Sequence, residues 1–497
     1  KMETFDVDAT NGNLDGKWYQ LYCSVQRCNS ALRVLDNSTD GQIENRNIRI
    51  AEMKVLRAHF YFEMSRLFNK IPYFDENVAN NSDYKTISNN QYTRDEILGK
   101  LAQEMLDAAA VLPESQSEIG RINKYIAYAY AAKIKLYQAY KQDETTHAVT
   151  SVDKSLMQDV VDLCDKLINS GKYDLLSDFQ GLDLIANENG KESVFAIQYS
   201  MNDGTINGGR INWSNLLNSP GGGSPYGGDG FFLPSQDLVN AYQTDASGLP
   251  DFDYQSKSDY SQVTANDNNT YSLSNVTPSV DPRLDFVVGR PNISWKTYTK
   301  TPCKGWVRDK GTYGYNCTKR FWVSPESPDM MKGWPWGASQ MNWQIIRYAD
   351  VLLWKAEALI EIGSDLTTAR TLINKVRERA KNSSYVKDFA DKSKNAANYS
   401  IALYTADNWT QDYARKALRT EMRLETAMEG ERFFDLVRWG IADKVMNNFL
   451  TVEKSKRIYY ANSKFTAGKD EYLAIPNNQY GFSGGIYVQN PGYAAFK

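Results

Sequence analysis

The stretch Lys124-Tyr125-Ile126-Ala127-Tyr128-Ala129-Tyr130-Ala131-Ala132-Lys133-Ile134-Lys135-Leu136-Tyr137-Gln138-Ala139-Tyr140 decides the fold class. It reads as one helix, and its small residues Ala127, Ala129, Ala131 and Ala132 let a neighbouring helix approach closely. A second helical pattern runs from about Leu156 to Asn169 and stops at Ser170-Gly171. The two form an antiparallel helical pair of the tetratricopeptide kind, although the spacing along the chain is irregular.

Upstream, Val55, Leu56, Phe60, Met64, Leu67 and Phe68 recur at helical spacing within Ile43–Phe68. That helix ends before Ile71-Pro72, because a residue preceding proline is pushed out of the α region. Thr93 and Glu96 form a capping-box pattern that opens a helix ending near Leu112-Pro113. Downstream, 202–230 is rich in Gly, Asn and Ser, Phe231 to Tyr242 reads as a short helix, and 251–275 is polar and turn-rich. From Asp281 to Asn342 no helical period is present, but aromatic residues are dense. Helices resume over Tyr348–Ile362, Leu366–Arg379 and about Asp412–Glu429. The expectation is a mostly α chain forming one domain. Residues 1–200 and 343–450 are a helical scaffold, 201–342 a loop-rich ligand-binding region with minor β structure, and 451–497 an irregular C-terminal segment.

Composition excludes several functions. Lys+Arg 57 against Asp+Glu 60 gives a net charge of −3, which does not suit a nucleic-acid partner. No apolar run is long enough to span a membrane. Two histidines, His59 and His147, cannot build a His-rich metal site, and no cofactor is expected. The five cysteines include no Cys-x-x-Cys pair, and pairing of Cys303 with Cys317 stays open. The chain begins Lys1-Met2 and looks trimmed, so a missing signal peptide or lipid-attachment cysteine is uninformative.

Three segments carry a family resemblance. The first is Glu52-Met53-Lys54-Val55-Leu56-Arg57-Ala58, continuing through Tyr61-Phe62 and Arg66-Leu67-Phe68 to Ile71-Pro72. The second is Arg347-Tyr348-Ala349-Asp350-Val351-Leu352-Leu353 with Ala356-Glu357-Ala358. The third runs from Arg423-Leu424-Glu425 through Glu429-Gly430-Glu431-Arg432-Phe433-Phe434-Asp435-Leu436 to Arg438-Trp439. Tyr472-Leu473-Ala474-Ile475-Pro476 is similar to a closing segment of the same family. In these segments the chain resembles the SusD/RagB family of outer-membrane nutrient-binding lipoproteins of Bacteroidetes. The resemblance implies four tetratricopeptide-like helical pairs carrying a loop-rich region. It implies a cell-surface protein held to the outer membrane by a lipid anchor, binding oligosaccharide or polysaccharide, and capping a SusC-type TonB-dependent transporter. A scaffold that docks on the transporter without touching glycan is the alternative.

The charged residues of these signatures, Arg347, Asp350, Glu357, Glu425, Glu429, Arg432 and Asp435, read as hydrogen-bonded pairs that fix helix register. Glu425 and Glu429 stand one turn apart, the separation a glycosidase pair needs, but such spacing arises constantly on helices. Aromatic content is the stronger functional signal, with 11 Trp, 32 Tyr and 19 Phe. Trp295, Trp306, Trp322, Trp334 and Trp336 crowd into one interval. A flat ring covers the apolar C–H face of a sugar, and exposed rings are costly unless something covers them. The glycan-binding candidates are Trp213, Tyr226, Trp295, Tyr298, Trp306, Tyr313, Trp334 and Trp336. Core packing is expected for about half of the clustered tryptophans, Trp322 among them. Gly221-Gly222-Gly223 lacks the context of a phosphate cradle and reads as a tight loop at the ligand rim or a connector.

Overall fold

The computed structural model describes residues 1–496, apart from 79–80, 206–208, 213–216, 268–269, 303–304 and 332–336. The backbone forms two compact units. One joins Lys1–Gly171 to Phe433–Lys497, and the other is Lys172–Arg432.

The first unit opens with α1 (Gly12–Asp36), α2 (Arg46–Phe68), α3 (Arg94–Val111), α4 (Lys124–Ala139) and α5 (Lys154–Ile168). Each helix packs on the next along the chain. Ala127, Ala129, Ala131 and Ala132 are all fully buried, so the small face of α4 is used as the sequence implies. The helix starts are written in side chains that accept orphan backbone N–H groups. Glu96 accepts from the Thr93 N–H at 2.8 Å while Thr93 accepts from Glu96, a complete capping box. Asn123 and Asp153 cap α4 and α5 in the same way. The connection from α4 to α5 is more than a polar turn. It is an antiparallel ribbon of β1 (Tyr140–Gln142) and β2 (Val149–Val152), with Tyr140 opposite Val152.

In the second unit β3 (Ser193–Ile197) pairs antiparallel with β8 (Trp343–Arg347), Ser193 opposite Arg347 and Ile197 opposite Trp343. The loop-rich segment therefore leaves and returns at one ladder. Within it lie α6 (Gln236–Ala241), a hairpin of β4 (Gln262–Ala265) and β5 (Tyr271–Ser274), and a short pair of β6 (Val288–Gly289) with β7 (Cys317–Thr318). α6 is shorter than the sequence suggests. Ser235 caps it, accepting from the Leu238 N–H at 3.1 Å, and Phe231 and Phe232 fall outside it. After β8 come α7 (Tyr348–Ile362), α8 (Leu366–Asn382) and α9 (Gln411–Glu425), packed on one another. α9 stops at Glu425 rather than Glu429, because the chain turns there with Met428 at φ 66°.

The chain then runs through α10 (Arg432–Arg438), α11 (Ala442–Lys454) and α12 (Asn477–Phe482). Arg438 is buried with its guanidinium over the rings of Tyr137 and Tyr140, at 5.1 and 5.3 Å. The closing segment is anchored where Leu473 N–H meets the Leu67 carbonyl at 2.8 Å.

Both histidines belong to the first unit. Burial lowers each pKa from 6.5 to about 4, against a raising influence of Glu63 on His59 and of Asp143 on His147. The folded values lie below the unfolded ones, so the unfolded chain binds more protons between pH 6.5 and 4. Stability contributed by the neutral rings is complete above pH 6.5 and is lost as the pH falls toward 4. His147 has φ 56°, a conformation asparagine tolerates. In His147→Asn, the slope of unfolding free energy against pH over that window is expected to fall by about one proton. Denaturant titrations at several pH values would measure it, and an unchanged slope would contradict a buried neutral His147.

Candidate functional site

A buried ionic network holds the loop-rich region of the second unit to its helices. Arg347 reaches Glu192 at 2.8 Å, Glu425 at 3.1 Å and Glu429 at 2.9 Å. Arg379 pairs with Glu192 at 2.9 Å and also with Glu425. Arg283 contacts Asp281 at 2.7 Å, Glu421 at 2.6 Å and Glu425 at 3.1 Å. Arg377 reaches Glu421 at 2.9 Å. Arg320 pairs with Glu429 at 2.8 Å and Asp183 at 3.1 Å. Burial pushes the Glu425 carboxyl up, but Arg379, Arg347 and Arg283 outweigh it and hold the pKa below the ordinary carboxylate value. Asp350 accepts from the Arg347 N–H at 2.7 Å at the start of α7, and Arg438 meets Asp435 at 2.9 Å. These signature charges are structural: they join helix to helix and helix to loop.

Lys319, next to Arg320, donates to the carbonyls of Asp285 at 2.7 Å and Ser294 at 2.8 Å. Burial brings its pKa from 10.5 down to about 7, against the raising field of Asp285. The two bonds tie the backbone just before Trp295 to the network.

Trp295, Trp306, Tyr226, Trp322 and Phe321 form the centre of an aromatic core with Met330 and Met341. Trp295 and Tyr226 are 0 % exposed, and Trp306 is 2 % exposed. The Trp295 indole N–H donates to the Tyr226 hydroxyl at 2.9 Å, which donates to the Val323 carbonyl at 2.7 Å. The Trp295 and Trp306 rings meet edge to face at 5.0 Å. These three residues, expected as open platforms, are instead the interior of the loop-rich region. A segment with few regular elements needs bulky, shape-tolerant side chains to exclude water, and indoles supply them. The glycine-rich loop serves the same packing. Gly221 N–H meets the Trp306 carbonyl at 2.7 Å and Gly223 N–H the Gly305 carbonyl at 3.0 Å. A Cβ on Gly223 would stand 2.8 Å from Gly305 Cα, so the loop is a close backbone contact.

Tyr298 and Tyr313 differ from the buried rings. Both are half-buried and pack on the outside of the aromatic core, Tyr298 at 6.4 Å from Trp306. The Tyr298 N–H is held by the Trp295 carbonyl at 2.8 Å, and its hydroxyl makes no hydrogen bond among the described residues. Tyr313 closes the helical turn Lys310–Tyr313, which Asp309 caps through the N–H groups of Gly311 and Thr312. Trp213, Trp334 and Trp336 lie outside the described residues, as does Cys303.

Phe231, Phe232 and Arg308 were not anticipated. Both phenyl rings are exposed, and the Arg308 guanidinium lies 4.4 Å from the centre of Phe231. Phe232 has φ 54°, a strained conformation for an aromatic residue. The dipeptide is followed by Leu233-Pro234, a turn signal that could have removed it from the expected helix. The region thus has a buried aromatic core with Tyr298 and Tyr313 on its outside, and an exposed Phe231 beside Arg308. It suits a ligand with apolar faces and a polar rim.

A family model described as the SusD family matches residues 191–493. The chain belongs to the SusD family. A second model, described as starch-binding and associating with the outer membrane, matches residues 2–136. The SusD-like protein P2 of Formosa agariphila is 26 % identical over 99 % of this chain and 83 % of its own. A SusD homologue of Bacteroides thetaiotaomicron shares the fold with a TM-score of 0.71 at 20 % identity, covering 99 % of this chain and 88 % of that one. A laminarin-binding SusD-like protein is similar at a TM-score of 0.61 and 20 % identity, over 99 % of this chain and 88 % of that one. As a SusD-family member the chain is mostly helical with small two-stranded sheets, as its motifs imply.

Proposed function

We propose that this SusD-family chain binds glycan at the cell surface without cleaving it. It passes the glycan to a SusC-type TonB-dependent transporter in the outer membrane, where a lipid anchor holds it. The observation that carries the reading is that Tyr298 and Tyr313 are half-buried rings packed on the outside of a buried aromatic core. Rings that cannot move lose little conformational freedom when a sugar rests on them. Exposed Phe231 and Phe232 extend the apolar surface, and Arg308, Asp309 and Lys310 offer groups for sugar hydroxyls. The absence of catalysis is supported by Glu425, which is wholly buried among three arginines and unavailable to a glycosidic bond. Laminarin, the ligand of one structural relative, is a reasonable first glycan to try.

The test is calorimetric titration of a glycan panel that includes laminari-oligosaccharides. Wild type is expected to bind at least one member. Tyr298→Ala and Tyr313→Ala are each expected to weaken binding by roughly 1 kcal/mol or more, with the fold intact. Glycan binding unchanged in both variants, or no binding by wild type, would overturn the assignment.

A further inference from the structure

The first unit contains a groove of about 630 Å³, framed by α1, by Phe74, Tyr84 and Lys85, and by the segment that carries α12. That volume falls within the usual range of small-molecule sites. Trp18, Tyr22 and Tyr487 form its inner surface, the Trp18 ring lying 5.1 Å from Tyr22 and 6.2 Å from Tyr487. Tyr19 and Phe482 stand at its edge, 60 % and 72 % exposed. Large rings this open to water, facing a cleft rather than scattered, mark a surface that something covers.

The polar lining identifies the occupant. Gln26, Gln479 and Ser483 supply donors and acceptors, and Arg27 and Lys85 supply positive charge. Among the described residues, none that lines the groove carries a carboxylate. Both cations are exposed, and neither makes an ion pair among the described residues. Asp15, which does not line the groove, accepts from the side-chain amides of Asn478 at 2.8 Å and Gln479 at 2.7 Å. We infer that this groove is a second binding site, for an acidic saccharide. The sugar's C–H faces lie on Tyr19 and Phe482, and its carboxylate or sulfate lies on Arg27 and Lys85. The site is independent of the Tyr298 and Tyr313 surface.

The experiment titrates wild-type protein with an oligouronate, a sulfated oligosaccharide and a neutral carboxyl-reduced oligomer, at low and high salt. Binding of one anionic probe, weakened by salt, is expected, and the two anionic arms show whether carboxylate or sulfate is read. Arg27→Gln and Lys85→Gln, both surface changes, are each expected to weaken it by about tenfold, the value of one hydrogen bond to a charged group. Tyr298→Ala is expected to leave it unchanged. Cys23 also lines the groove and is half-buried, so bound saccharide is expected to slow its maleimide labelling, read on the Cys23 peptide. Failure of both anionic probes to bind would overturn the inference. So would equal binding of the neutral oligomer, or undiminished binding in Arg27→Gln and Lys85→Gln.

Discussion

Glu425→Leu is expected to destabilise the second unit by about 3–5 kcal/mol, the usual cost of removing one partner from a buried ionic cluster. Glu425 is the shared acceptor of Arg283, Arg347 and Arg379, and its side chain is 0 % exposed. Removing it leaves three guanidinium groups in a dry interior with fewer carboxylates to answer them. Of the remaining partners, Glu421 and Glu429 also answer Arg377 and Arg320, and Glu192 is shared between Arg347 and Arg379. The measurement is the denaturant midpoint and slope of unfolding. A loss below about 1 kcal/mol would mean the network is a surface-like array that water can enter. The acid side gives a second readout. The pKa of Glu425 lies below its ordinary value of 4.5, so its stabilisation is complete above pH 4.5 and is lost as the pH falls below it.

Trp295→Ala is expected to cost a similar amount, about 3–5 kcal/mol, through the cavity it leaves and the lost hydrogen bond to the Tyr226 hydroxyl. The indole touches Trp306 edge to face, bonds Tyr226 and closes against Gly289, where a Cβ would collide with its ring. Loss of glycan binding in this variant would follow loss of the indole that supports Trp306, the ring on which Tyr298 packs. Trp295→Phe separates the two roles. It keeps an apolar ring and is expected to retain glycan binding with a smaller loss of stability. Differential scanning calorimetry beside glycan titration reads both quantities. Full stability in Trp295→Ala would contradict the buried placement.

The helical frame was legible because its signals are local. Alanines on one face of α4, the capping box of Thr93 and Glu96, and the proline at 72 each act within a few residues. The structural role of Arg347, Glu425 and Glu429 was legible as well, since charges at helical spacing on packed helices must find partners. Their partners Glu192, Arg283 and Arg320 were not, because those contacts cross long stretches of chain. The tryptophans show where sequence reading fails. In a helix or strand, period separates inside from outside, but 281–342 has no period. Trp295 and Tyr298 stand three residues apart in one irregular segment, yet one is buried and the other half-open. That difference is set by the loop of Tyr226 and by β6 and β7, which assemble only in three dimensions.

The most direct measurement is a crystal structure of the chain with saturating glycan. The account predicts sugar resting on the outer rings of Tyr298 and Tyr313, beside Phe231 and Arg308, with Trp295, Trp306 and Tyr226 still enclosed and bonded as they are without ligand. Sugar seated against an opened Trp295–Trp306 pair, or found nowhere near Tyr298 and Tyr313, would contradict it.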